Sequence, residues 1–195
     1  AATPNGLRFY GPGLGGTLDS APHPTVIGGM QTIRFEDHRG AARLLPAHTA
    51  TSDTPSVLEI VSSGNGEARV RGRSDGSARL RIADQNNQLL DRIALDSRQL
   101  ARVDSAPPLL ITDARPLAYA PGTQRVHAAL FSSANERLVD ESLTFGASAA
   151  RYSVTAGTWD TIDIEMPATD VTVAVATGAG PITLTLRAAG PIDDI

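Results

Sequence analysis

Apolar and polar residues alternate along most of the chain, in short runs separated by turns rich in Gly, Pro, Asp and Ser. Two runs, Ala68–Arg73 and Ala78–Ile82, place small or branched apolar residues on one face and arginines on the other. Alternation with a period of two is typical of a β-strand that buries one face. Further strands are predicted at Thr25–Ile27, Thr32–Phe35, Leu89–Leu95, Gln99–Val103, Leu109–Thr112, Arg125–Phe131, Ser142–Phe145, Tyr152–Val154, Thr158–Glu165, Asp170–Ala176 and Pro181–Arg187.

The segment Ser74-Asp75-Gly76 joins the two arginine-bearing runs and predicts a hairpin with a three-residue loop. In that register Val70 lies opposite Leu80, so one face of the hairpin is apolar and the other is basic. A slip of one residue would turn the apolar set to solvent, which favours this register over a two-residue loop.

Many short strands and few helical stretches predict an all-β fold, and 195 residues suffice for two domains of ordinary size. The segment Ser105–Pro108 contains two consecutive prolines, which stiffen the chain as a short linker does. We therefore expect two tandem antiparallel β-sandwiches, with domains at residues 1–105 and 106–195.

The amino-acid composition limits which partners, metal sites and membrane segments can be expected. The formal net charge is −4, so no overall attraction to nucleic acid is expected, and all 17 basic residues are arginine. The chain has no cysteine, which excludes disulfides and thiolate metal sites. No apolar run reaches the length of about 18 residues that a membrane-spanning helix needs. The start, Ala1–Gly6, is typical of a trimmed mature terminus or the edge of a fragment.

Four segments of the first part resemble the bacterial immunoglobulin-like domains that occur in tandem in intimin- and invasin-type adhesins. They are Ile27–Gln31 (IGGMQ), Ser52–Ile60 (SDTPSVLEI), Ala68–Gly72 (ARVRG) and Gly76–Leu80 (GSARL), and the resemblance covers roughly residues 25–104. Residues 108–195 resemble a second such sandwich by pattern alone, with Trp159 as its expected core tryptophan. The resemblance implies immunoglobulin-like sandwiches without a shared active site, used as spacers, stalks or ligand-binding tips.

The arginines of the predicted hairpin are the candidate ligand-binding residues. Guanidinium groups form paired hydrogen bonds with carboxylates and phosphates, so this face is suited to an acidic polysaccharide. The alternative is a solvated strand face whose charges discourage edge-to-edge pairing. The candidate site residues are Arg69, Arg71, Arg79 and Arg81.

No pattern predicts a metal site, a cofactor or catalysis. Asp160, Asp163, Glu165 and Asp170 lie close together in sequence, but there is no Asp-x-Asp-x-Asp loop, so we interpret them as surface acids. The four histidines are scattered without the spacing of a zinc site. No Gly-x-Ser-x-Gly motif is present, and we expect that the protein is not an enzyme.

The sequence therefore predicts a non-enzymatic secreted or cell-surface module, located outside the cell or in the periplasm, that acts as a structural spacer or adhesion element. One alternative is a module that binds a glycan or cell-wall polymer through the arginine face. Another is an accessory part of a larger secreted hydrolase. The expected partners are an acidic polysaccharide or a surface protein.

Overall fold

A computed structural model of the chain describes residues 6–37, 47–106 and 117–190. Within these ranges the regular structure is β-strand, apart from one short 3-10 turn at Leu14–Gly16. The predicted strand at Leu109–Thr112 and the linker prolines Pro107 and Pro108 lie outside the described residues.

The first half contains nine strands in two sheets. Sheet I has the order β2-β1-β4-β7-β6, and sheet II has the order β3-β9-β8-β5. The strands are β1 (Leu7–Pro12), β2 (Leu18–Asp19), β3 (Thr25–Val26), β4 (Met30–Asp37), β5 (His48–Ser52), β6 (Leu58–Gly64), β7 (Glu67–Gly72), β8 (Gly76–Asp84) and β9 (Leu89–Arg98).

The second half also forms two sheets. Sheet III has the order β10-β12-β16-β15, with β13 paired to β12, and sheet IV has the order β11-β18-β17-β14. The strands are β10 (Arg102–Ala106), β11 (Ala118–Tyr119), β12 (Gly122–Phe131), β13 (Arg137–Leu138), β14 (Thr144–Ser148), β15 (Tyr152–Val154), β16 (Thr161–Met166), β17 (Val171–Thr177) and β18 (Gly180–Ala188).

The two halves repeat one topology. In each, a two-residue strand runs parallel to the last long strand, β3 beside β9 and β11 beside β18, while the neighbouring pairs are antiparallel. In both halves this strand, the last strand and two further strands make one sheet, and the other sheet holds the remaining strands. This arrangement matches the A-B-E-D and A′-G-F-C sheets of an immunoglobulin-like sandwich, so the predicted all-β fold of two sandwiches is confirmed.

Each sandwich encloses its own apolar core. The first core contains Ile33 and Val70 from sheet I and Leu80 and Ile82 from sheet II, all with no exposed surface. The second core contains residues of sheets III and IV, and Val26 from the first half also belongs to it. Burial of alternating positions is what drives the strands together, since each apolar side chain removed from water contributes about 1.5–3 kcal/mol.

The predicted hairpin between the two arginine-bearing strands is wrong. β7 pairs with β4 and β6 in sheet I, whereas β8 pairs with β5 and β9 in sheet II, so Val70 and Leu80 do not lie opposite each other in one sheet. Ser74-Asp75-Gly76 starts a crossover between the sheets. The apolar residues of both strands still face the same core, but they approach it from opposite sides.

The change from the first core to the second comes earlier than the predicted linker. Arg102–Ala106 forms β10 and pairs with β12, so Ser105 and Ala106 are strand residues of the second sandwich. Val103 is buried in the second core. Only residues 99–101 separate the last strand of the first sandwich from the first strand of the second.

Candidate functional site: the junction between the sandwiches

The four candidate arginines do not form one surface. Arg69 and Arg71 lie on β7 and point away from the first core on the outer side of sheet I. Arg79 and Arg81 lie on β8 and point outward from sheet II, which is the opposite side of the sandwich. A ligand cannot contact all four on a single flat face, and their role in binding stays a prediction.

The arginines of sheet I are close to acidic side chains. Arg71 Nη1 lies 3.7 Å from Glu59 Oε2, and Arg73 Nη2 lies 2.7 Å from the same oxygen. On the neighbouring strand, Arg34 Nε lies 3.9 Å from Glu67 Oε2. These exposed pairs neutralise much of the positive charge that the sequence assigned to this face.

The best-defined cluster of polar contacts lies where the two sandwiches meet. We use the word junction for Val26, Gly28 and Met30 of the first sandwich together with Val139, Asp140 and Gly178 of the second. The backbone N–H of Val26 donates to the carbonyl of Val139 at 3.0 Å, and Val139 N–H donates to the carbonyl of Pro24 at 2.9 Å. These two bonds pair the chain at the short strand β3 with Val139 of the second sandwich.

Asp140 is the centre of the junction. Its side chain has no exposed surface, and its two oxygens accept four hydrogen bonds. Oδ1 accepts from Met30 N–H at 3.1 Å, from Ser142 N–H at 2.9 Å and from the Ser142 hydroxyl, while Oδ2 accepts from Gly178 N–H at 2.7 Å. A buried carboxylate is tolerated only when donors replace water in this way, and bonds to an ionised acceptor are the stronger kind.

Glu141, the residue after Asp140, makes further hydrogen bonds to β4 of the first sandwich. Its carboxylate accepts the backbone N–H of Thr32, and its own N–H donates to the carbonyl of Met30 at 2.7 Å. Burial raises the pKa of Glu141, while the hydrogen bond from Thr32 and the charges of Arg69 and Arg34 oppose that rise. The side chain therefore lies in a drier environment than an ordinary surface acid.

Gly28 marks the closest backbone approach at the junction. Its φ of +83° is a conformation that side-chain-bearing residues rarely adopt. A Cβ added to Gly28 would overlap the carbonyl of Gly178 in the second sandwich. The Gly28-Gly29 pair that separates β3 from β4 is thus required by contact with the other half of the molecule as well as by local geometry.

A second cluster ties the N-terminal segment to the second sandwich. Gly15 N–H donates to Asp160 Oδ2 at 3.0 Å, and Arg137 Nη2 lies 3.8 Å from the same oxygen. Asp160 is fully buried, so its interpretation as a surface acid is wrong. Burial lowers the pKa of Arg137 to about 10, and the nearby Asp160 opposes that change. Arg137 therefore still carries its positive charge at neutral pH.

Asp160, Thr161 and His127 together do not present a reactive hydroxyl. Thr161 Oγ1 donates to Asp160 Oδ1 at 3.0 Å and lies 2.7 Å from His127 Nδ1, and the Thr161 residue is 1% exposed. Because the hydroxyl bond to Asp160 uses the Thr161 proton, Nδ1 of His127 is assigned as the donor in the second bond. A hydroxyl this buried is shielded from substrate, and the cluster is suited to holding segments together.

Asp163 is another of the acids that the sequence places at the surface. Asp163 forms an exposed ion pair with Arg125, at 2.8 Å between Oδ1 and Nε. Trp159, the expected core tryptophan, is partly buried and packs against the second core.

Among the described residues, no three His, Cys, Asp or Glu side chains are grouped so as to hold a metal ion. The described part of the chain also contains no helix long and apolar enough to span a membrane.

The sequence did not reveal that the buried acids Asp140 and Asp160 make contacts between distant segments. Asp140 and Asp160 occur in polar segments, Val139–Ser142 and Thr158–Thr161, that are typical of exposed turns. The one available signal was glycine: Gly15-Gly16 and Gly28-Gly29 each lie opposite one of the buried acids. Paired glycines that serve no ligand motif indicate a close backbone approach.

No protein-family model matches the sequence, and no curated protein matches it either. Among solved structures, the chain is similar to domains 5–6 of the S-layer protein SbsC, at 13% identity over 96% of this chain and 100% of that one, with a TM-score of 0.37. It is also similar to the D00-D0 domain of intimin, at 10% identity over 94% and 99% of the two chains, with a TM-score of 0.30.

A third similar structure is the adhesin InvE of Yersinia pseudotuberculosis, at 14% identity over 86% of this chain and 57% of that one, with a TM-score of 0.28. These TM-scores are below 0.5. The assignment of the fold therefore rests on the strand order and the two cores of this chain itself.

Proposed function

We propose that the chain is a non-enzymatic structural module of a secreted or cell-surface protein, in which two immunoglobulin-like sandwiches form a spacer of fixed geometry. The observation that carries this proposal is the buried carboxylate of Asp140, which accepts hydrogen bonds from Met30 of one sandwich and Gly178 of the other. The bond from Met30 is the one that crosses between the sandwiches, and a flexible pair of domains would expose Met30 N–H and the Asp140 carboxylate to water. A buried charged group at a mobile contact would be costly.

The proposal includes new limits for the two domains. We place the end of the first sandwich at Arg98 and the start of the second at Arg102, since the strands that end and begin there belong to different sheets. Arg98 supports the stiffness of this short connection: its guanidinium lies 2.9 Å from Asp96 and 3.3 Å from Glu136 of the second sandwich. The connection is too short to separate the sandwiches widely.

A fixed spacer would hold a binding or catalytic domain at a set distance from a surface, and the proposal locates the module in a secreted or cell-surface protein. This function needs no cofactor and no catalytic residue. It needs a defined angle between the sandwiches, and adhesion to a surface protein is compatible with it.

Small-angle X-ray scattering of the full chain tests the proposal. We expect one compact two-lobed shape whose maximum dimension stays constant between 50 mM and 500 mM salt, because the junction contacts are buried and poorly screened. Scattering that requires an ensemble of interdomain angles in the unmodified chain would overturn the proposal.

A further inference from the structure

The outer side of sheet II carries a group of arginines, of which the sequence placed Arg79 and Arg81 on one face with Arg69 and Arg71. We call the outward-facing residues Arg79, Arg81 and Arg92 the sheet II basic face. Arg81 on β8 lies directly opposite Arg92 on β9, and Arg79 precedes Arg81 by two residues, on the same side. Leu80, Ile82 and Leu95 on the same two strands belong to the first core, which fixes the arginines on the solvent side.

The three guanidinium groups form no ion pair with an acid of the described residues, although the backbone hydrogen bond from Arg79 lowers the pKa of the neighbouring Asp53 most and the charge of Arg79 also helps to lower it. Among the residues that the structure describes, no carboxylate lies within ion-pair distance of the three guanidinium groups. Arg81 donates instead to the Asn87 side-chain oxygen at 3.2 Å and to the Asn87 carbonyl at 3.1 Å. Asp53, the residue that follows β5, accepts the backbone N–H of Arg79 at 2.7 Å.

A like-charged pair directly opposite across two strands is destabilising. On sheet I the arginines have acidic partners, as Arg71 and Arg73 have in Glu59. The Arg81–Arg92 pair has none in the described chain, so this repulsion is retained in the folded protein. Arg81 uses two of its donors on Asn87, whereas the guanidinium groups of Arg79 and Arg92 make no hydrogen bond to the described residues and keep their donors for a ligand.

The surroundings of the face indicate the chemistry of that ligand. On β5, Thr51 lies opposite Arg81, and Thr49 lies two residues before Thr51 on the same side of the sheet. Two exposed hydroxyls therefore border the arginines. Ala94, opposite Arg79, leaves space beside the guanidinium groups. A flat surface of forked cations and hydroxyls is suited to carboxylates carried on a chain of sugars.

Nucleic acid fits this face less well. Single-stranded nucleic acid is bound by aromatic platforms on which the bases stack, and the exposed positions of β5, β8 and β9 contain no aromatic residue. Asp53 and Asp96 flank the arginines on the same side of the sheet. These acids weaken the attraction of a densely charged phosphate chain more than that of a polymer with one carboxylate per sugar.

We propose that the sheet II basic face binds an acidic polysaccharide, with Arg81 and Arg92 holding one carboxylate between them and Arg79 contacting the next. Arg69 and Arg71, on the other side of the sandwich, take no part in this contact. The binding function is additional to the spacer role, since sheet II acts as a surface here and the junction is not involved.

Binding of the full chain to polygalacturonate, measured by isothermal titration calorimetry, tests this proposal. The double variant Arg81→Gln/Arg92→Gln removes two charges from the face and also the like-charge repulsion, so it is expected to fold with an unchanged or higher melting temperature. Its affinity should fall by about tenfold or more. The matched control, Arg34→Gln/Arg69→Gln, removes the same charge from sheet I and should change the affinity by less than about twofold.

Three results would overturn the proposal. One is the absence of saturable binding by the unmodified chain to polygalacturonate. Another is an equal loss of affinity in both double variants, which would indicate an effect of net charge alone. The third is tighter binding of single-stranded DNA than of polygalacturonate at the same salt concentration, which would assign the face to nucleic acid.

Discussion

Asp140 Oδ1 lies 3.1 Å from the backbone nitrogen of Met30, and these two atoms belong to different sandwiches. The same carboxylate accepts Gly178 N–H through its second oxygen, at 2.7 Å. One buried acid thus joins the first residue of β4 to the turn between β17 and β18. Contacts of this kind, together with the short chain connection, support the proposal that the angle between the sandwiches is fixed.

Replacing Asp140 with alanine should lower the free energy of unfolding by about 3 kcal/mol, because the buried N–H of Met30 and the N–H groups of Ser142 and Gly178 would lose their acceptor. Urea unfolding followed by circular dichroism measures this change. Glu165→Ala removes an exposed acid of the same sandwich and should change the stability by less than about 0.5 kcal/mol. Equal effects of the two substitutions would contradict the central place of Asp140.

Comparing Gly28→Ala with Gly157→Ala separates the effect of the close backbone approach on stability from the effect of backbone strain. Gly28 has φ +83° and Gly157 has φ +79°, so alanine is strained to a similar degree at both positions. A Cβ at Gly28 would overlap the Gly178 carbonyl, whereas a Cβ at Gly157 would meet nothing within 4 Å. We expect a larger fall in the melting temperature for Gly28→Ala than for Gly157→Ala. Equal falls would mean that the backbone contact between the sandwiches contributes nothing.

The buried and exposed arginine pairs should respond very differently to substitution. Arg137→Leu leaves the fully buried Asp160 without its neighbouring cation and should cost about 3 kcal/mol of stability. Arg125→Leu breaks the exposed pair with Asp163 and should have a much smaller effect. Thermal unfolding of both variants measures the difference. If Arg137→Leu is as stable as the unmodified chain, the cluster around Asp160 does not hold the N-terminal segment.

Glu141→Gln should change how stability depends on pH. Burial raises the pKa of Glu141 above its ordinary value of 4.5, so the folded protein binds this proton more tightly than the unfolded chain does. The contribution of Glu141 to the free energy of unfolding is therefore largest below the ordinary pKa and declines as the pH rises through the folded-state pKa. Glutamine keeps an acceptor for Thr32 N–H but does not titrate.

The difference in stability between Glu141→Gln and the unmodified chain isolates this group from all others. We expect the difference to move in favour of the variant as the pH rises from 4 to 7, as measured by urea unfolding at several pH values. A difference that is constant with pH, or that moves in favour of the unmodified chain, would contradict the raised pKa.

Alternation predicted the faces of the strands well, but it could not predict their partners. Val70 and Leu80 are buried and Arg69 and Arg79 are exposed, as the pattern indicates. The pattern is the same whether two strands form a hairpin or face each other across a core, because both arrangements bury one face of each strand. Only the packing of the whole sandwich selects the crossover.

The burial of Asp140 at the junction could not be predicted from the sequence, for a related reason. Whether Asp140 lies in an exposed turn or in a buried contact depends on residues more than 100 positions away, Met30 among them. Polarity predicts exposure on average, and buried acids are the exceptions, found where donors from several segments converge. The pairing of Arg81 with Arg92 likewise required the register of β8 and β9, which alternation alone does not supply.

Pulsed electron spin resonance between two labels tests the fixed junction most directly, since the chain has no native cysteine to interfere. Asn86→Cys, in the turn before β9, and Ala168→Cys, in the turn before β17, place one label on each sandwich at the ends away from the junction. We predict a single narrow distance distribution, which broadens when Asp140→Ala is added. A broad distribution in the chain that retains Asp140 would contradict the account.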